Sequence, residues 1–231
     1  MRTTTRLKLA YTALAATDTA LAGSARPWAH RARWVTKPLL LPALGAALAT
    51  DPRAQGSPLR ASTLAAQAGG WGGDVLLLGA GERAFAAGAT SFGLGHVAYL
   101  TGFRRARDRR APLRAGRLAR SFAATWAASG PVVAAAAARH DRRLGATVLG
   151  YSALLSGMAA AASHLDPALP RDARVLTAAG GALFVASDAV LGARTFLLPS
   201  APARLESVVM ATYTGAQLLL AEGAARAGRR G

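Results

Sequence analysis

Asp74 and Asp188 are the residues of this chain best placed to do chemistry. Each is a carboxylic acid inside an apolar run. Asp74 lies in Gly69-Gly70-Trp71-Gly72-Gly73-Asp74-Val75-Leu76-Leu77-Leu78, and Asp188 in Ala182-Leu183-Phe184-Val185-Ala186-Ser187-Asp188-Ala189-Val190-Leu191-Gly192. If such a run crosses a bilayer, an acid at its centre costs about 3 kcal/mol on insertion scales, and one retained there usually serves a pathway or a site. Two further charges, Asp18 and Lys37, fall in similar runs. A cation beside one carboxyl group would keep it ionised and leave a second free to hold and deliver a proton. The plainer reading is that these side chains tie helices together or reach out to the interface.

Everything therefore turns on the elements that carry them. The chain has 231 residues, of which 52% are hydrophobic and only 17% charged, with a mean hydropathy of +0.24. A soluble domain of this size normally carries about 25% charge. The apolar residues come in eight blocks, roughly 8–24, 33–50, 58–80, 84–103, 116–138, 143–164, 173–197 and 203–224. Each is near the roughly 20 residues needed to span a bilayer as a helix. Helix-ending residues mark the joints: Arg26-Pro27, Asp51-Pro52, Gly79 with Gly81, Pro112, residues 139–143, Asp166-Pro167 with Pro170, and Pro199 with Pro202. No strand alternation is sustained. The expectation is an all-α fold: a polytopic transmembrane helical bundle of about eight spans with short loops, forming a single integral membrane domain over residues 1–231. Thr17-Asp18-Thr19 interrupts the first block, which therefore reads as a retained span rather than a removed signal peptide.

The net charge of +17 does not point to nucleic acid. The basic residues sit between blocks and at the termini, with few aromatics interleaved, as in cytoplasmic loops of membrane proteins. Most of the 28 fall on one side: Arg2, Arg6, Lys8, Arg53, Arg60, the arginine-rich stretch 104–120, Arg171, Arg174, Arg226, Arg229 and Arg230. That predicts a multi-pass protein of the cell membrane with both termini cytoplasmic. Asp18, Asp74 and Asp188 lie past the midpoints of spans running one way, and Lys37 before the midpoint of a span running back. All four share one half of the bilayer, the outer one in this orientation.

Other polar groups accompany them. His96 and Tyr99 are three apart and share a helix face, as do Tyr213 and Gln217, four apart on the last span. These four are candidate cavity-lining residues. Gly93 with Gly95, and Gly69, Gly70, Gly72 and Gly73, suit close helix approach. The absence of cysteine excludes disulfides and thiolate chemistry. No paired-histidine metal spacing and no Gly-x-Ser-x-Gly elbow is present, so neither a metal site nor an ordinary serine hydrolase is expected.

Five segments occur in the order seen in a known family. Thr36-Lys37-Pro38-Leu39-Leu40-Leu41-Pro42, Gly73-Asp74-Val75-Leu76-Leu77, Phe92-Gly93-Leu94-Gly95-His96-Val97-Ala98-Tyr99, Ser187-Asp188-Ala189-Val190-Leu191 and Thr212-Tyr213-Thr214-Gly215-Ala216-Gln217 together resemble the motifs of the YhhN-like lysoplasmalogenases, over roughly residues 8–225. The resemblance implies hydrolysis of the vinyl-ether bond of a lysoplasmalogen, a lysophospholipid drawn from the membrane, to a fatty aldehyde and glycerophosphocholine or glycerophosphoethanolamine. It implies no cofactor. A vinyl ether hydrolyses by proton addition to its β-carbon and water attack on the resulting oxocarbenium ion, a task for one acid and one carboxylate. Asp74 and Asp188 would take those roles in either order. Lys37 would tune them or meet the phosphate, and His96, Tyr99, Tyr213, Gln217 and Asp18 would line the substrate site. The rival class is a small-solute or proton-coupled transporter, since intramembrane acids also serve proton and cation pathways. A third is a scaffolding protein that binds membrane lipids. The sequence leaves the oligomeric state open.

Overall fold

The computed structural model describes residues 2–198 and 200–228. Pro199, assigned to the last joint, and Arg229 and Arg230, assigned to the basic side, lie outside the described residues. The described residues form eight α-helices: α1 (Arg2–Ala22), α2 (Pro27–Ala49), α3 (Arg60–Leu76), α4 (Glu82–Arg105), α5 (Arg117–Ala138), α6 (Arg142–Ala162), α7 (Arg171–Gly192) and α8 (Arg204–Arg226). A π-helical turn, Ala193–Leu197, continues α7. No strand is present among them beyond an isolated bridge between Arg107 and Leu165.

The helices follow the eight apolar blocks, with local shifts. α1 starts at Arg2 rather than near residue 8, because Arg2, Arg6 and Lys8 are polar yet helical. α2 starts at Pro27 rather than 33, since proline is preorganised for the first helical position. α3 stops at Leu76, before Gly79 and the positive-φ Gly81 that opens α4. Asp51 and Asp141 accept backbone N–H bonds at the following turns, as the polar joints require.

Each helix packs against its neighbour in sequence at four antiparallel hairpins, α1–α2, α3–α4, α5–α6 and α7–α8. Contacts of α4 with α6, α6 with α7 and α8 with α1 close a ring of seven helices. α5 stays outside, against α6. α8 also touches α2 and α3, so it leans toward the centre of the bundle.

The distribution of polarity is inverted relative to a soluble protein. Asp18, Lys37, Gln67, Asp74, His96 and Gln217 are buried, while Leu94, Val97, Leu118, Val132 and Val175 stand exposed on outer faces. Buried charge with exposed aliphatic surface is the informative combination, and it fits helices whose solvent is lipid. Three helices, α5, α6 and α7 with its π-turn, are long and apolar enough to cross a membrane by length and composition. The other five carry most of the buried polar residues, which lowers their hydropathy. The exposed indoles of Trp28, Trp34 and Trp71 gather at the end of the bundle formed by the start of α2 and the end of α3, a position typical of interfacial aromatics.

Glycines bring α3 onto α4. A Cβ on Gly69 would stand 2.7 Å from the backbone nitrogen of Gly95, and one on Gly95 would stand 2.8 Å from the carbonyl oxygen of Ala66. Ser91 Oγ donates to the Gly69 carbonyl at 2.8 Å across the same seam. In α2, Pro38 and Pro42 deprive the carbonyls of Trp34 and Pro38 of their helical donors. The Trp71 indole of α3 donates to the Pro38 carbonyl at 3.0 Å, which satisfies one of them and registers α3 against α2.

The opposite end is closed by charge. Lys8 contacts Asp51 at 3.0 Å and also Glu222, Arg53 contacts Asp51 at 2.6 Å and Glu222 at 3.3 Å, and Arg226 reaches Asp172 at 2.9 Å. Burial alone would raise the Asp51 carboxyl, but hydrogen bonds from Arg53 and Lys8 outweigh it and hold the group well below the usual carboxylate range. A carboxyl group depressed in the folded state stabilises the fold above the unfolded carboxylate range, and that contribution declines as pH falls below that range and is gone once pH has fallen through the depressed folded value.

Asp51→Asn should lower the apparent Tm in detergent at neutral pH by the equivalent of about 2 kcal/mol. The gap to the parent should narrow below about pH 4, and a gap constant across pH would refute the linkage. Gly95→Ala should overpack the α3–α4 seam and cost about 1–3 kcal/mol. Gly150→Ala, with open space around its Cβ, should be neutral or slightly stabilising.

Candidate active site

The carboxyl groups of Asp74 and Asp188 line one cavity of about 180 Å³. Asp74 arrives from the last turn of α3 and Asp188 from the last turn of α7. Lys37 of α2, Tyr151 of α6, and Glu206 and Tyr213 of α8 also face it. The cavity lies toward the tryptophan-bearing end. Phe92, Phe184 and Tyr213 meet edge to face around its inner side, with ring centroids 5.6–6.5 Å apart.

The two acids stand in different surroundings. Asp74 is 1% exposed. Its Oδ1 lies 3.6 Å from Lys37 Nζ, and its Oδ2 accepts from the Tyr213 hydroxyl at 2.7 Å. The cation and the donor both favour a carboxylate there. The glycines of α3 make room for this arrangement: a Cβ on Gly73 would stand 2.3 Å from the Phe92 ring.

Asp188 has no ion-pair partner among the described residues. Its Oδ2 is bonded to the Tyr151 hydroxyl, and that oxygen lies 3.1 Å from His96 Nε2. The three groups form a chain that is satisfied in two ways. With Asp188 ionised, Tyr151 donates to it and accepts from His96 Nε2–H. With Asp188 protonated, the carboxyl donates to Tyr151, and Tyr151 donates to the bare Nε2. A tyrosine hydroxyl is both donor and acceptor, and neutral imidazole has two tautomers, so both states need no heavy-atom movement. His96 Nδ1 is buried without a hydrogen-bond partner among the described residues.

A second chain of charges runs along the mouth. Asp18, fully buried, accepts from Thr36 Oγ1 at 2.6 Å and from Arg33 Nε at 3.3 Å. Arg33 Nη1 continues to Glu206 at 3.2 Å, and Arg194 Nη1 of the π-turn completes it at 2.6 Å. Glu206 and Arg194 line the cavity, whereas Asp18 does not.

Of the residues singled out in the sequence, Asp74, Asp188, Lys37 and Tyr213 meet at the cavity. His96 reaches it through Tyr151. Tyr99 and Gln217 bond each other at 2.9 Å; each lies a turn deeper than the residue it accompanies, His96 or Tyr213, and neither lines the cavity. Asp18 serves Arg33. The sequence reading missed Tyr151, Arg33, Arg194 and Glu206. A signal for Tyr151 exists, since it is the lone aromatic residue in α6. Arg33 was hidden because it stands where an apolar block begins and reads as a flanking charge.

No curated protein and no solved structure matches the chain. The model of the YhhN family matches residues 32–224, a range that takes in every residue lining the acid cavity and leaves out Asp18. On that match, which covers well over half of its length, the chain belongs to the YhhN family.

Proposed function

We propose that this membrane protein is a hydrolase that cleaves the vinyl-ether bond of a lysoplasmalogen, yielding a fatty aldehyde and glycerophosphocholine or glycerophosphoethanolamine. One observation carries the reading. Asp188 lines both the acid cavity and an adjoining chamber walled mainly by apolar side chains, whereas Asp74 lines only the acid cavity. In a vinyl ether the carbon that takes the proton belongs to the tail, and the carbon that takes water bears the head-group oxygen. A proton donor on the tail side and a base on the head side is the arrangement the reaction needs.

The roles then separate. Asp188, without a cation, donates a proton to the β-carbon, and the adjacent carbon becomes an oxocarbenium ion. The Asp74 carboxylate, held by Lys37 and Tyr213, stabilises that cation and takes a proton from the attacking water. In the hemiacetal, Asp188 recovers a proton from the new hydroxyl, and Asp74 returns its own to the ether oxygen as the bond to carbon breaks. Substrate and one water become aldehyde and alcohol, and both acids regain their starting states. Tyr151 holds Asp188 in either state, so the proton moves without repacking. On charge grounds the basic end faces the cytoplasm, which puts the cavity in the outer half of the bilayer with both termini inside.

Purified protein in lipid nanodiscs should release fatty aldehyde from a lysoplasmalogen. Asp188→Asn and Asp74→Asn should each lower kcat by about 10²–10⁴-fold. In D2O the aldehyde should carry one deuterium on the carbon next to the carbonyl. Full activity in both variants would end the paired-acid mechanism, and uptake of solute into proteoliposomes without aldehyde would mark a transporter instead. Tyr151→Phe removes the switchable hydroxyl and leaves the ring. It should lower kcat by roughly tenfold with little change in KM, the pattern of a group that matters mainly in the transition state.

A further inference from the structure

The adjoining chamber, about 130 Å³, is bounded by α4, α5, α6, α7 and the π-turn. Its walls include Phe85, Val133, Val148, Leu155, Val185 and Phe196. It exists because α5 packs on α6 outside the ring and leaves a gap toward α7. Tyr151 and Asp188, with Leu77, Phe85, Phe92 and Leu191, line the wall it shares with the acid cavity. At its far side stands Trp126 of α5. The same indole also lines a separate groove between α5 and α6, whose other walls include Ala119, Ala123, Ala153, Gly157 and Ala160. Trp126 and Ser156 are common to both spaces, so the indole stands between the chamber and the groove.

Trp126 is held in that position from two sides. Its Nε1 donates to Ser152 Oγ on α6 at 3.1 Å. Its ring lies over Gly130, one turn on, where a Cβ would stand 2.7 Å from Nε1 and 2.8 Å from Cδ1. Only glycine leaves room for the indole to lie flat along α5. A large ring, fixed by a hydrogen bond and a matched gap, makes a firm end wall.

We infer that the chamber holds the alkenyl tail of the substrate and that Trp126 sets the length of tail the site accepts. The inference rests on the hydrolase reading for the identity of the head group and the bond cleaved. The occupant is argued from the walls and from continuity: an apolar space that begins at the proton donor receives the chain attached to the carbon being protonated. Each methylene that enters the chamber is worth roughly a fourfold gain in kcat/KM. The gain stops where the chain meets the indole. Beyond it lies a groove of small residues wide enough to take more chain once the partition is gone.

The test is a series of lysoplasmalogens differing only in alkenyl length. In the parent, kcat/KM should rise with length to a break point and then fall. Trp126→Ala should move the break to longer chains and raise the long-to-short ratio of kcat/KM by at least about tenfold. Trp126→Phe, which keeps an aromatic wall, should stay near the parent profile. An active Trp126→Ala protein with the parental break point overturns the inference. A second measurement needs neither catalysis nor a variant: a saturated alkyl-ether lysophosphocholine with a diazirine at the tail end, photolysed on the parent protein. Crosslinks to Trp126, Ser152 or Ser156 support the chamber, and crosslinks confined to the outer faces of the bundle overturn it. If those crosslinks form but the parent releases no aldehyde, the hydrolase reading falls and the tail site stands.

Discussion

The pairing of Lys37 with Asp74 is the interaction on which the rest of this structure depends. A single buried charge inside an apolar bundle is costly, and removing one member of such a pair leaves the other uncompensated. Satisfying Asp74 requires three helices at once: α3 to carry it, α2 to bring the lysine and α8 to bring the Tyr213 hydroxyl. That demand explains several local choices. α2 carries Pro38 just after Lys37 and Pro42 one turn on, and the Trp71 indole takes up the Pro38 carbonyl that Pro42 leaves free. α3 is stripped to glycine at residues 69, 70, 72 and 73, so that α4 and the Phe92 ring fit against it. α8 leans inward from the ring, which puts Tyr213 over the carboxylate.

The contrast between the two acids follows from what surrounds them rather than from their chemistry. Asp74 meets a cation and a donor. Asp188 meets Tyr151, a group that works equally well as donor or acceptor. The first environment offers a carboxylate two partners; the second offers a hydroxyl that matches either protonation state. The mouth repeats the logic with opposite purpose. Asp18, Arg33, Glu206 and Arg194 alternate acid and base, so each carboxyl group in the row meets a guanidinium. A surplus of either sign beside the two acids would bias both.

Much of this was legible in the sequence, and the reasons it was or was not are physical. Helix number and joints were readable because apolar blocks and prolines act locally. The meeting of Lys37 with the acids was readable because antiparallel spans convert position along the chain into depth. Rotation about each helix axis is not encoded in depth. Asp18 shares the depth of the site but turns toward Arg33 and Thr36. Tyr99 and Gln217 share faces with His96 and Tyr213, and those faces do reach a common interior, but one turn below the cavity. Tyr151 stood alone in a helix without other chemistry, and its importance arises only because α6 packs against both α4 and α7, which carry His96 and Asp188.

Hydropathy alone marked only three helices as spans, and the site explains why. The bundle brings a polar cavity and a mainly apolar chamber together at one place. The helices that build the polar half give up apolar residues to do so, and their charges face inward, where a composition average cannot distinguish them from charges facing out. α5, α6 and α7 build most of the apolar half and keep a lipid-like composition throughout. The boundary between the two groups of helices passes through Asp188: beyond a first turn that holds Arg171, Asp172 and Arg174, α7 carries no charge until it delivers Asp188 where the polar cavity begins. The division in hydropathy along the sequence and the division between apolar chamber and polar cavity are therefore the same feature, seen first along the chain and then across it.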